Sequence, residues 1–519
     1  MISRILGTSA MLALMAGAAQ AEFNLTILHT NDFHDRFEPI SGSDGPCGKE
    51  DAAAGECFGG AARLMTAITA ARAADETTIL VDAGDPFQGT LFYTQYKGSM
   101  TAEFMNLMGY EAMAVGNHEF DDGPETLAAF ADAVDFPVLM ANADISGEAL
   151  LTDKIAKSTV IEKGGERIGL IGLTPVANPE LASPGPNIIF TPPADAVQAE
   201  VDALTADGIN KIIVLSHSGY DVDQAMAAAV TGVDVIVGGH DHSLLGDMEG
   251  AKGPYPTMVG DTAIVQAYAY GKYLGILDVT FDDDGVVTAT AGQPLLLDNS
   301  VAEDEAVLAR VTELAAPLEE IRNEVVGEAT DLIDGNRDVC RVMECSGGNL
   351  VADAMLARVA DQGIQIAIAN SGGIRASIEA GEVTMGEVLT VLPFQNTLST
   401  FQITGQALFD ALENGVSQME EVSGRFPQVA GMSFAVDPAA PVGSRVSDVM
   451  VAGAPVDPAA TYGAVSNNYV RNGGDGYAMF MTAAEAYDFG PDLADVVAEY
   501  IAEQGGAYTP YVDGRITVN

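Results

Sequence analysis

The sequence is poor in histidine, cysteine, tryptophan and basic residues, and these shortages narrow the classes of protein that it can encode. Its 519 residues include six histidines, four cysteines and no tryptophan. The 23 lysines and arginines are outnumbered by 74 aspartates and glutamates, so the formal net charge is −51. A surface this acidic repels other polyanions. We therefore expect neither nucleic-acid polymers nor anionic membranes among its partners.

Long hydrophobic runs are also missing, because the one apolar stretch near the start is too short to cross a bilayer. Residues 1–21 instead have the pattern of a secretory signal peptide, with Arg4 as the positive region, Met11–Met15 as the apolar region and Ala19–Ala21 as the cleavage site. No cysteine for lipid attachment follows this site, and no hydrophobic tail closes the chain. We expect cleavage after Ala21 and a periplasmic or secreted protein without a membrane anchor.

Four cysteines in an exported protein allow three disulfide pairings. The two local pairs are favoured, because Cys47 with Cys57 and Cys340 with Cys345 would each close a short loop. Free thiols are the less expected alternative in an oxidising compartment.

The first half of the chain repeats one pattern, an apolar β-rich run that ends abruptly in polar residues. The runs are Phe23–Leu28, Thr78–Val81, Ala112–Val115, Ile212–Leu215 and Val233–Val237. Helical periodicity separates several of them, as at Ala61–Ala74 and Pro124–Val134. Strands alternating with helices indicate layered α/β architecture, in which ligands gather at the carboxyl ends of strands.

The length predicts more than one domain, since about 500 mature residues exceed a single hydrophobic core. A helical pattern runs from Ala302 to Glu328, and Pro317 should kink or break it. We interpret this segment as the connection between domains. A second α/β domain is expected from about residue 335 to the end.

All six histidines lie in or beside short polar motifs at the predicted strand ends, and none follows His242. The motifs are Leu28-His-Thr-Asn-Asp-Phe-His34, Gly116-Asn-His-Glu-Phe-Asp121, Ser216-His-Ser-Gly219 and Gly239-His-Asp-His242. Neutral imidazole is the commonest metal ligand in proteins. A hydrolytic two-metal site also needs a carboxylate shared between the ions, and Asp85 in Asp82-Ala-Gly-Asp85 could supply it. These motifs together predict a metallohydrolase.

In this order, the motifs resemble the signature of the calcineurin-like metallophosphoesterases. The flanking sequence is similar to the 5′-nucleotidase family, which includes exported 5′-nucleotidases, UDP-sugar hydrolases and 2′,3′-cyclic-nucleotide phosphodiesterases. The resemblance covers nearly the whole mature chain. It implies an α/β fold with a four-layer αββα metallophosphoesterase sandwich over 22–301, a helical linker and hinge over 302–334, and an α/β nucleotide-recognition domain over 335–519.

The resemblance also implies two divalent metal ions, which the nitrogen and oxygen ligands would suit as Zn²⁺, Mn²⁺ or Co²⁺. The residues at the ligand positions are Asp32, His34, Asp85 and His242 for one ion, and Asp85, Asn117, His217 and His240 for the other. His118 would contact the phosphoryl group, oriented by Asp121, although Asp121 alone could instead be a helix N-cap. His29 matches no ligand and is expected to be either a core histidine with its polar atoms hydrogen-bonded or a residue that supports the metal ligands from behind. The family often has glycine after Asp-x-His, where this chain has Asp35 and Arg36.

The histidine-free second domain supplies arginines for phosphate, aromatic rings for a base and a carboxylate for ribose hydroxyls. The resemblance implies the following roles: base stacking by Phe394 and Tyr469, ribose binding by Asp475, phosphate contacts by Arg341 and Arg375, and base- or phosphate-side contacts by Asn370. Core packing is the alternative for Phe394. Arg425 would contact substrate or only support its loop.

The function implied is removal of phosphate from nucleoside 5′-monophosphates by attack of metal-bound hydroxide, without a phosphoenzyme. A UDP-sugar hydrolase or a 2′,3′-cyclic-nucleotide 2′-phosphodiesterase with the same site is the first alternative. A thiosulfohydrolase-like enzyme and a catalytically inactive secreted nucleotide-binding protein are less favoured. The partner expected is a small-molecule nucleotide, and the protein would be a monomer or homodimer.

Overall fold

The computed structural model describes residues 22–42, 44–394, 396–487 and 490–519, and the predicted signal peptide lies outside them. The described chain forms two α/β halves, each built around its own sheets. Within the described residues, none of the helices combines the length and the apolar composition that crossing a membrane requires.

The first sheet of the N-terminal half contains three of the predicted strands as parallel neighbours. Its strands, in spatial order, are Val287–Gly292, Tyr273–Phe281, Phe23–Thr30, Thr78–Asp82, Ala112–Ala114, Val138–Leu139 and Ile155–Ala156, with Leu295–Leu296 paired to Tyr273–Phe281. Ile27 pairs with Ile79 in parallel register. Because parallel strands end at the same edge, the polar segments that follow them are brought together.

A second sheet packs face to face against the first. Its strands, in spatial order, are Thr257–Val259, Thr262–Val265, Val235–Gly238, Ile212–Ser216, Glu166–Leu173 and Ser158–Lys163. Ile27 and Val81 of the first sheet share one fully buried core with Leu215 and Val237 of the second. A short separate pair joins Ala143–Asp144 to Ile189–Phe190.

Helices cover the outer faces of both sheets. The helices of this half are Lys49–Ala54, Ala61–Ala74, Leu91–Tyr96, Gly98–Met108, Pro124–Ala133, Asn178–Leu181, Pro193–Ala206 and Tyr220–Ala229, with a 3₁₀ turn at His118–Phe120. Leu64 packs with Leu80 on one outer face, and Val201 packs with Val214 on the other. The predicted four-layer αββα sandwich is therefore confirmed.

The connection after the sandwich begins with the helix Glu305–Ala315, capped by the Asp304 carboxylate. Val307 and Val311 on its inner face belong to the core of the N-terminal half. The α-helix ends before Pro317, which lies in the 3₁₀ turn Ala316–Leu318, and Glu319–Arg322 follows. The predicted break at this proline is confirmed.

The C-terminal half is built on a mixed five-stranded sheet. Its strands, in spatial order, are Pro427–Ala430, Ile366–Asn370, Thr461–Asn467, Leu398–Thr404 and Ala484–Tyr487. A four-stranded sheet contains Ala454–Pro455, Val446–Val451, Met432–Val436 and Ile516–Val518, and Val325–Ala329 pairs with Gly381–Thr384. The helices are Arg337–Cys340, Ser346–Arg358, Met385–Val391, Gly405–Gly415, Asn468–Arg471 and Leu493–Ala502, with 3₁₀ turns at Ala360–Gln362, Ser371–Gly373, Gly474–Gly476 and Ala478–Phe480.

Alternate residues of the strand Ile366–Asn370 face two different helical layers. Ala367 packs with Leu350 and Val497 on one side, whereas Ile368 packs with Leu408 on the other. This alternation is what a strand buried on both faces requires. The predicted second α/β domain is confirmed.

The two local disulfides predicted from the spacing are both present. Cys47 and Cys57 are joined with their Cα atoms 5.7 Å apart, and Cys340 and Cys345 with theirs 5.1 Å apart. The described residues contain no free cysteine. The second disulfide closes the short loop that carries Arg341.

Candidate active site

The predicted metal ligands meet where strands of both N-terminal sheets end. The residues that adopt left-handed backbone there are Asp32, His34, Asp85, His240 and His242, with φ between 50° and 80°. Positive φ is uncommon outside glycine and costs free energy. Its recurrence at one place indicates that the surrounding structure holds these side chains in a functional arrangement.

Three buried side chains form one half of this cluster. The Asp32 Oδ1 atom lies 3.2 Å from His242 Nε2 and 3.9 Å from His34 Nε2. The two imidazole Nε2 atoms of His34 and His242 are 3.3 Å apart. These three ligand atoms point at one another within the reach of a single cation.

The other half is centred on Asp85, whose Oδ2 atom lies 2.8 Å from His217 Nε2. The ligand atoms of Asp85, His217 and His240 all lie within 4.8 Å of one another. The side-chain oxygen of Asn117 is buried and has no hydrogen-bond partner among the described residues. Ligand atoms of Asp85 and His34 also lie within 4.8 Å of each other. Asp85 therefore stands between the two groups of ligands, where a carboxylate shared by both ions would have to be.

Backbone carbonyls fix which nitrogen of two histidines faces the cluster. The Nδ1 atom of His217 lies 2.7 Å from the Ala83 carbonyl oxygen, and that of His34 lies 3.0 Å from the Phe87 carbonyl oxygen. A carbonyl only accepts, so each Nδ1 carries the proton and each Nε2 presents a lone pair to the cluster.

Burial and neighbouring charges shift the pKa values of the residues in the cluster. Burial lowers the pKa of His34 and His242, and burial raises the pKa of Asp32 to about 6. Burial also acts to lower the pKa of His217, but the carboxylates of Asp85 and Asp32 outweigh it and raise that pKa to about 10. His34 and His242 are thus held unprotonated beside buried carboxylates, and a metal ion would take the place of the proton on His217. This donor set suits divalent metal, so the residues present fit the ions that the fold implies.

His118 lies beside this cluster and is held by a carboxylate. Its Nδ1 atom lies 2.7 Å from Asp121 Oδ2, which also accepts a hydrogen bond from Gln88 Nε2. The carboxylate effect exceeds the opposing effect of burial, so the pKa of His118 is raised. The N-cap of the following helix is Gly123, so the N-cap alternative for Asp121 is excluded.

Several supporting residues were not identified from the sequence. The Glu119 carboxylate accepts hydrogen bonds from the backbone N–H groups of Gly116 and Asp85, at 2.6 and 3.2 Å. A Cβ atom on Gly116 would lie 2.1 Å from Asp85 Oδ1, so this position requires glycine. Asn31 Nδ2 donates to Asp32 Oδ2 at 2.8 Å. Adjacency to the ligand motifs could have marked Glu119 and Asn31, whereas nothing in the sequence marks Gln88.

His29 is separate from the cluster. It is fully buried, its Nε2 atom lies 2.7 Å from the Tyr255 hydroxyl, and burial lowers its pKa to about 3. His29 is therefore a core histidine, as one of the two predictions had it, although its Nδ1 atom has no hydrogen-bond partner among the described residues.

In the C-terminal half, a polar group forms where two neighbouring parallel strands end. Asn370 Nδ2 donates to Asp475 Oδ2 at 2.7 Å, and Asn467 Nδ2 donates to Asn370 Oδ1 at 2.8 Å. The Tyr469 hydroxyl donates to Asp475 Oδ1 at 3.3 Å, and burial raises the pKa of Asp475. The structure thus brings together three of the predicted substrate residues.

Two further predicted substrate residues reach across to the metal cluster. The Phe394 ring stacks on the His118 ring, with centroids 5.5 Å apart and planes inclined by 22°. The Arg375 guanidinium carbon lies 5.5 Å from the Phe394 ring centroid, and Arg375 Nη2 lies 3.3 Å from His34 Nε2. Phe394 is half-buried against the other half of the molecule.

The remaining arginines differ in their surroundings. Arg341 is buried, and its Nε atom has no partner among the described residues. Arg425 donates to Asn414 Oδ1 at 3.3 Å, and Asn414 Nδ2 donates to the Asp475 carbonyl oxygen at 3.0 Å. In this structure Arg425 therefore supports the loop that carries Asp475.

The comparisons with known proteins agree with this architecture. Residues 25–244 match the family described as calcineurin-like phosphoesterase, and residues 325–482 match the 5′-nucleotidase C-terminal domain. A four-layer sandwich that gathers histidines and aspartates at its strand ends defines a metallophosphoesterase, which is a phosphoric ester hydrolase.

Full-length relatives then narrow the class. The chain is 39% identical to a 5′-nucleotidase of Diplobatis ommata over 98% of this chain and 93% of that protein, and 37% identical to one of Homo sapiens over 99% and 95%. The crystal structure of a 5′-nucleotidase precursor from Thermus thermophilus superposes with a TM-score of 0.91 at 41% identity, covering 96% of this chain and 99% of that one. The protein belongs to the 5′-nucleotidase family. These comparisons support the alternatives, a UDP-sugar hydrolase, a cyclic-nucleotide phosphodiesterase or a thiosulfohydrolase-like enzyme, no better than they support a 5′-nucleotidase.

Proposed function

We propose that the protein releases phosphate from nucleoside 5′-monophosphates at a dinuclear metal site. The observation that carries the proposal is that Phe394, an aromatic ring of the C-terminal half, stacks on His118 beside the metal-ligand cluster. A ring at this place gives the site a partner for a base, which hydrolysis of simple phosphate esters does not require. The relatives named as 5′-nucleotidases support the same substrate class.

The proposed ligands of the two ions share Asp85. They are Asp32, His34, Asp85 and His242 for one ion, and Asp85, Asn117, His217 and His240 for the other. When bound, such ions acidify water and neutralise charge on a phosphoryl group. Imidazole and carboxylate ligands suit Zn²⁺, Mn²⁺ or Co²⁺.

The side chains of the protein would bind the ester and orient it. We assign His118 to a hydrogen bond with a phosphoryl oxygen, because Asp121 holds its Nδ1 atom and leaves Nε2 toward the cluster. This pairing both orients the imidazole and stabilises its protonated form. The Arg341 and Arg375 guanidiniums would contact the phosphate, as their charge and fork geometry suit it.

The nucleoside would bind in the C-terminal half. Asp475 would accept ribose hydroxyls, Asn370 would contact the base or phosphate side, and a base would stack between Phe394 and Tyr469. Since Phe394 of the C-terminal half lies on His118 of the N-terminal half in this structure, we propose that the two halves move apart to admit the base. The helix Glu305–Ala315 packs into the N-terminal core, so we place the hinge after it, between Leu318 and Val325.

We also propose that the protein is exported and acts in the periplasm or outside the cell. Two disulfides in the described residues are consistent with an oxidising compartment. The proposed partner is a small nucleotide, and the predicted states are monomer or homodimer.

The direct test is phosphate release after chelation and defined metal add-back. The substrates are AMP, a 2′,3′-cyclic nucleotide and UDP-glucose, each with Zn²⁺, Mn²⁺ or Co²⁺. We expect the chelated protein to be inactive, and restored metal to give the highest kcat/KM on AMP. A higher kcat/KM on the cyclic nucleotide or UDP-glucose would replace the proposed substrate, and no release from any of them would exclude the enzymatic function.

A further inference from the structure

A buried glutamine, Gln428, contacts the short loop that carries Arg341. It lies on the strand Pro427–Ala430, at one edge of the five-stranded sheet, and it is fully buried. Burying an amide costs free energy unless its hydrogen bonds are made. The hydrogen-bond partners of Gln428 therefore indicate which part of the protein it holds.

Three hydrogen bonds join the Gln428 amide to this loop. Its Nε2 atom donates to the carbonyl oxygens of Cys340 and Met343, each at 2.8 Å. Its Oε1 atom accepts from the backbone N–H of Cys345 at 3.3 Å. The Cys340 carbonyl belongs to the peptide group that leads into Arg341, and Met343 follows two residues later. One side chain thus fixes the backbone on both sides of the arginine.

The Arg341 side chain is held less firmly than this backbone. Its Nη1 atom donates to the Val422 carbonyl oxygen at 3.4 Å, which is long for a hydrogen bond. Its Nε atom has no partner among the described residues. The direction of the guanidinium therefore depends on where the loop backbone places it.

Two further anchors act on the ends of the loop. The disulfide joins Cys340 to Cys345, and the Glu344 carboxylate accepts from the backbone N–H groups of Asp513 and Ile516, at 2.9 and 3.3 Å. Gln428 differs from these anchors because it bonds to the peptide group that leads into the arginine.

Gly348 leaves the space that the glutamine occupies. A Cβ atom at this position would lie 2.3 Å from Gln428 Oε1. Gly348 belongs to the helix Ser346–Arg358, where the backbone conformation suits residues with a side chain. The need for glycine here therefore comes from the close approach of Gln428.

We propose that Gln428 is a positioning residue, which holds the Arg341 loop so that the guanidinium faces the phosphate of the bound nucleotide. Gln428 is buried behind the loop backbone and acts through it, without touching the substrate. The inference rests on the proposed function, because it takes Arg341 as a phosphate contact.

Two substitutions disturb the glutamine by different routes. Gln428→Met replaces the amide by an apolar group of similar size, which removes all three hydrogen bonds to the loop. Gly348→Ala keeps the amide but fills its space, and alanine favours the helix. Val451→Ala is the control for lost stability, because Val451 is a buried core residue of the four-stranded sheet in the same half.

Each substitution is made in the wild type and in Arg341→Ala. The measurements are kcat and KM for AMP, metal per chain, and melting temperature. Calorimetry gives the Kd of the metal-loaded protein for the phosphonate analogue of AMP, in which carbon replaces the ester oxygen.

Gln428→Met and Gly348→Ala should each raise KM and Kd about tenfold, since a hydrogen bond to a charged group is worth roughly one such factor. Metal content and kcat should stay close to the wild type, because the contact is made to bound substrate and transition state alike. In Arg341→Ala neither substitution should weaken binding further, because two residues that act through one contact are not additive. Val451→Ala should lower the melting temperature and leave KM unchanged.

Wild-type KM and Kd in Gly348→Ala would overturn the proposal, and this variant decides the question if Gln428→Met does not fold. Equal weakening with and without the Arg341 side chain would also overturn it, because Gln428 would then support the fold in general. If Arg341→Ala itself binds the analogue as tightly as the wild type, the positioning role falls, while AMP hydrolysis by the wild type keeps the proposed function. If the wild type hydrolyses no nucleotide, the proposed function fails, and the Kd values still test the role of Gln428.

Discussion

Substituting His118 by alanine should abolish most turnover while leaving the metal ligands in place. The imidazole is absent from the ligand set proposed above, and the hydrogen bond from His118 to a ligand comes from its backbone N–H, which donates to Asp85 Oδ1 at 2.8 Å. Alanine keeps this N–H group. The substitution therefore removes the side chain beside the cluster without removing the hydrogen bond that positions Asp85.

The expected loss follows from what the His118 side chain offers. Its Nε2 atom lies 3.9 Å from Asp85 Oδ2, close enough to reach a phosphoryl group bound at the cluster. A positioned acid or hydrogen-bond donor contributes roughly 10²- to 10⁴-fold to rate. We expect kcat for AMP to fall by about that factor, which corresponds to about 3–5 kcal/mol of transition-state stabilisation.

Two companion variants make the measurement specific. Asp121→Asn keeps an acceptor for His118 Nδ1 but removes the carboxylate charge, so it should lose activity less severely than His118→Ala. His29→Asn removes a buried histidine outside the cluster, and its activity per folded molecule should match the wild type although its melting temperature falls. Phosphate release gives kcat, and metal per chain is determined by elemental analysis on the same samples.

Loss of metal from His118→Ala would refute the assignment, since it would make His118 a ligand. Retained metal with unchanged kcat would equally refute it, because the imidazole would then have no part in turnover.

Two further substitutions test the two ends of the site. Asp85→Asn removes the carboxylate that stands between both ligand groups, so metal per chain should fall and phosphate release should be lost with it; full metal content in this variant would contradict the shared-ligand role. Phe394→Ala removes a proposed stacking ring worth roughly 1–3 kcal/mol, so KM for AMP should rise about 5- to 150-fold with metal content unchanged. Because Phe394 is half-buried, the melting temperature should change little, and an unaltered KM would return Phe394 to a packing role.

Much of the ligand cluster could be predicted because it depends on local order along the chain. Asp32 follows the first strand of the chain, Asp85 follows the second strand, and His217 follows a strand of the second sheet. Each of these polar residues comes shortly after an apolar run. Carboxyl ends of parallel strands necessarily meet at one edge, so sequence position implies spatial position there.

Contacts between distant segments could not be predicted in this way. Gln88 donates to Asp121 across 33 residues, and nothing in its neighbourhood distinguishes it from a surface glutamine. Arg337 likewise occurs in an ordinary polar segment, and only folding places it in the wall of a cleft that His242 also lines. Such roles depend on which elements pack together, and short sequence patterns do not encode that packing.

By itself the sequence determined the class of chemistry, because five of the six histidines follow strand ends in the company of aspartate and asparagine, a pattern typical of metal sites. It also determined the two-domain α/β order and the local disulfides. The tertiary structure alone decided that Phe394 stacks on His118 and that Arg375 reaches His34. These contacts join residues more than 250 positions apart in different domains. Their geometry is set by the packing of one domain on the other, a long-range property that local periodicity and motif spacing do not carry.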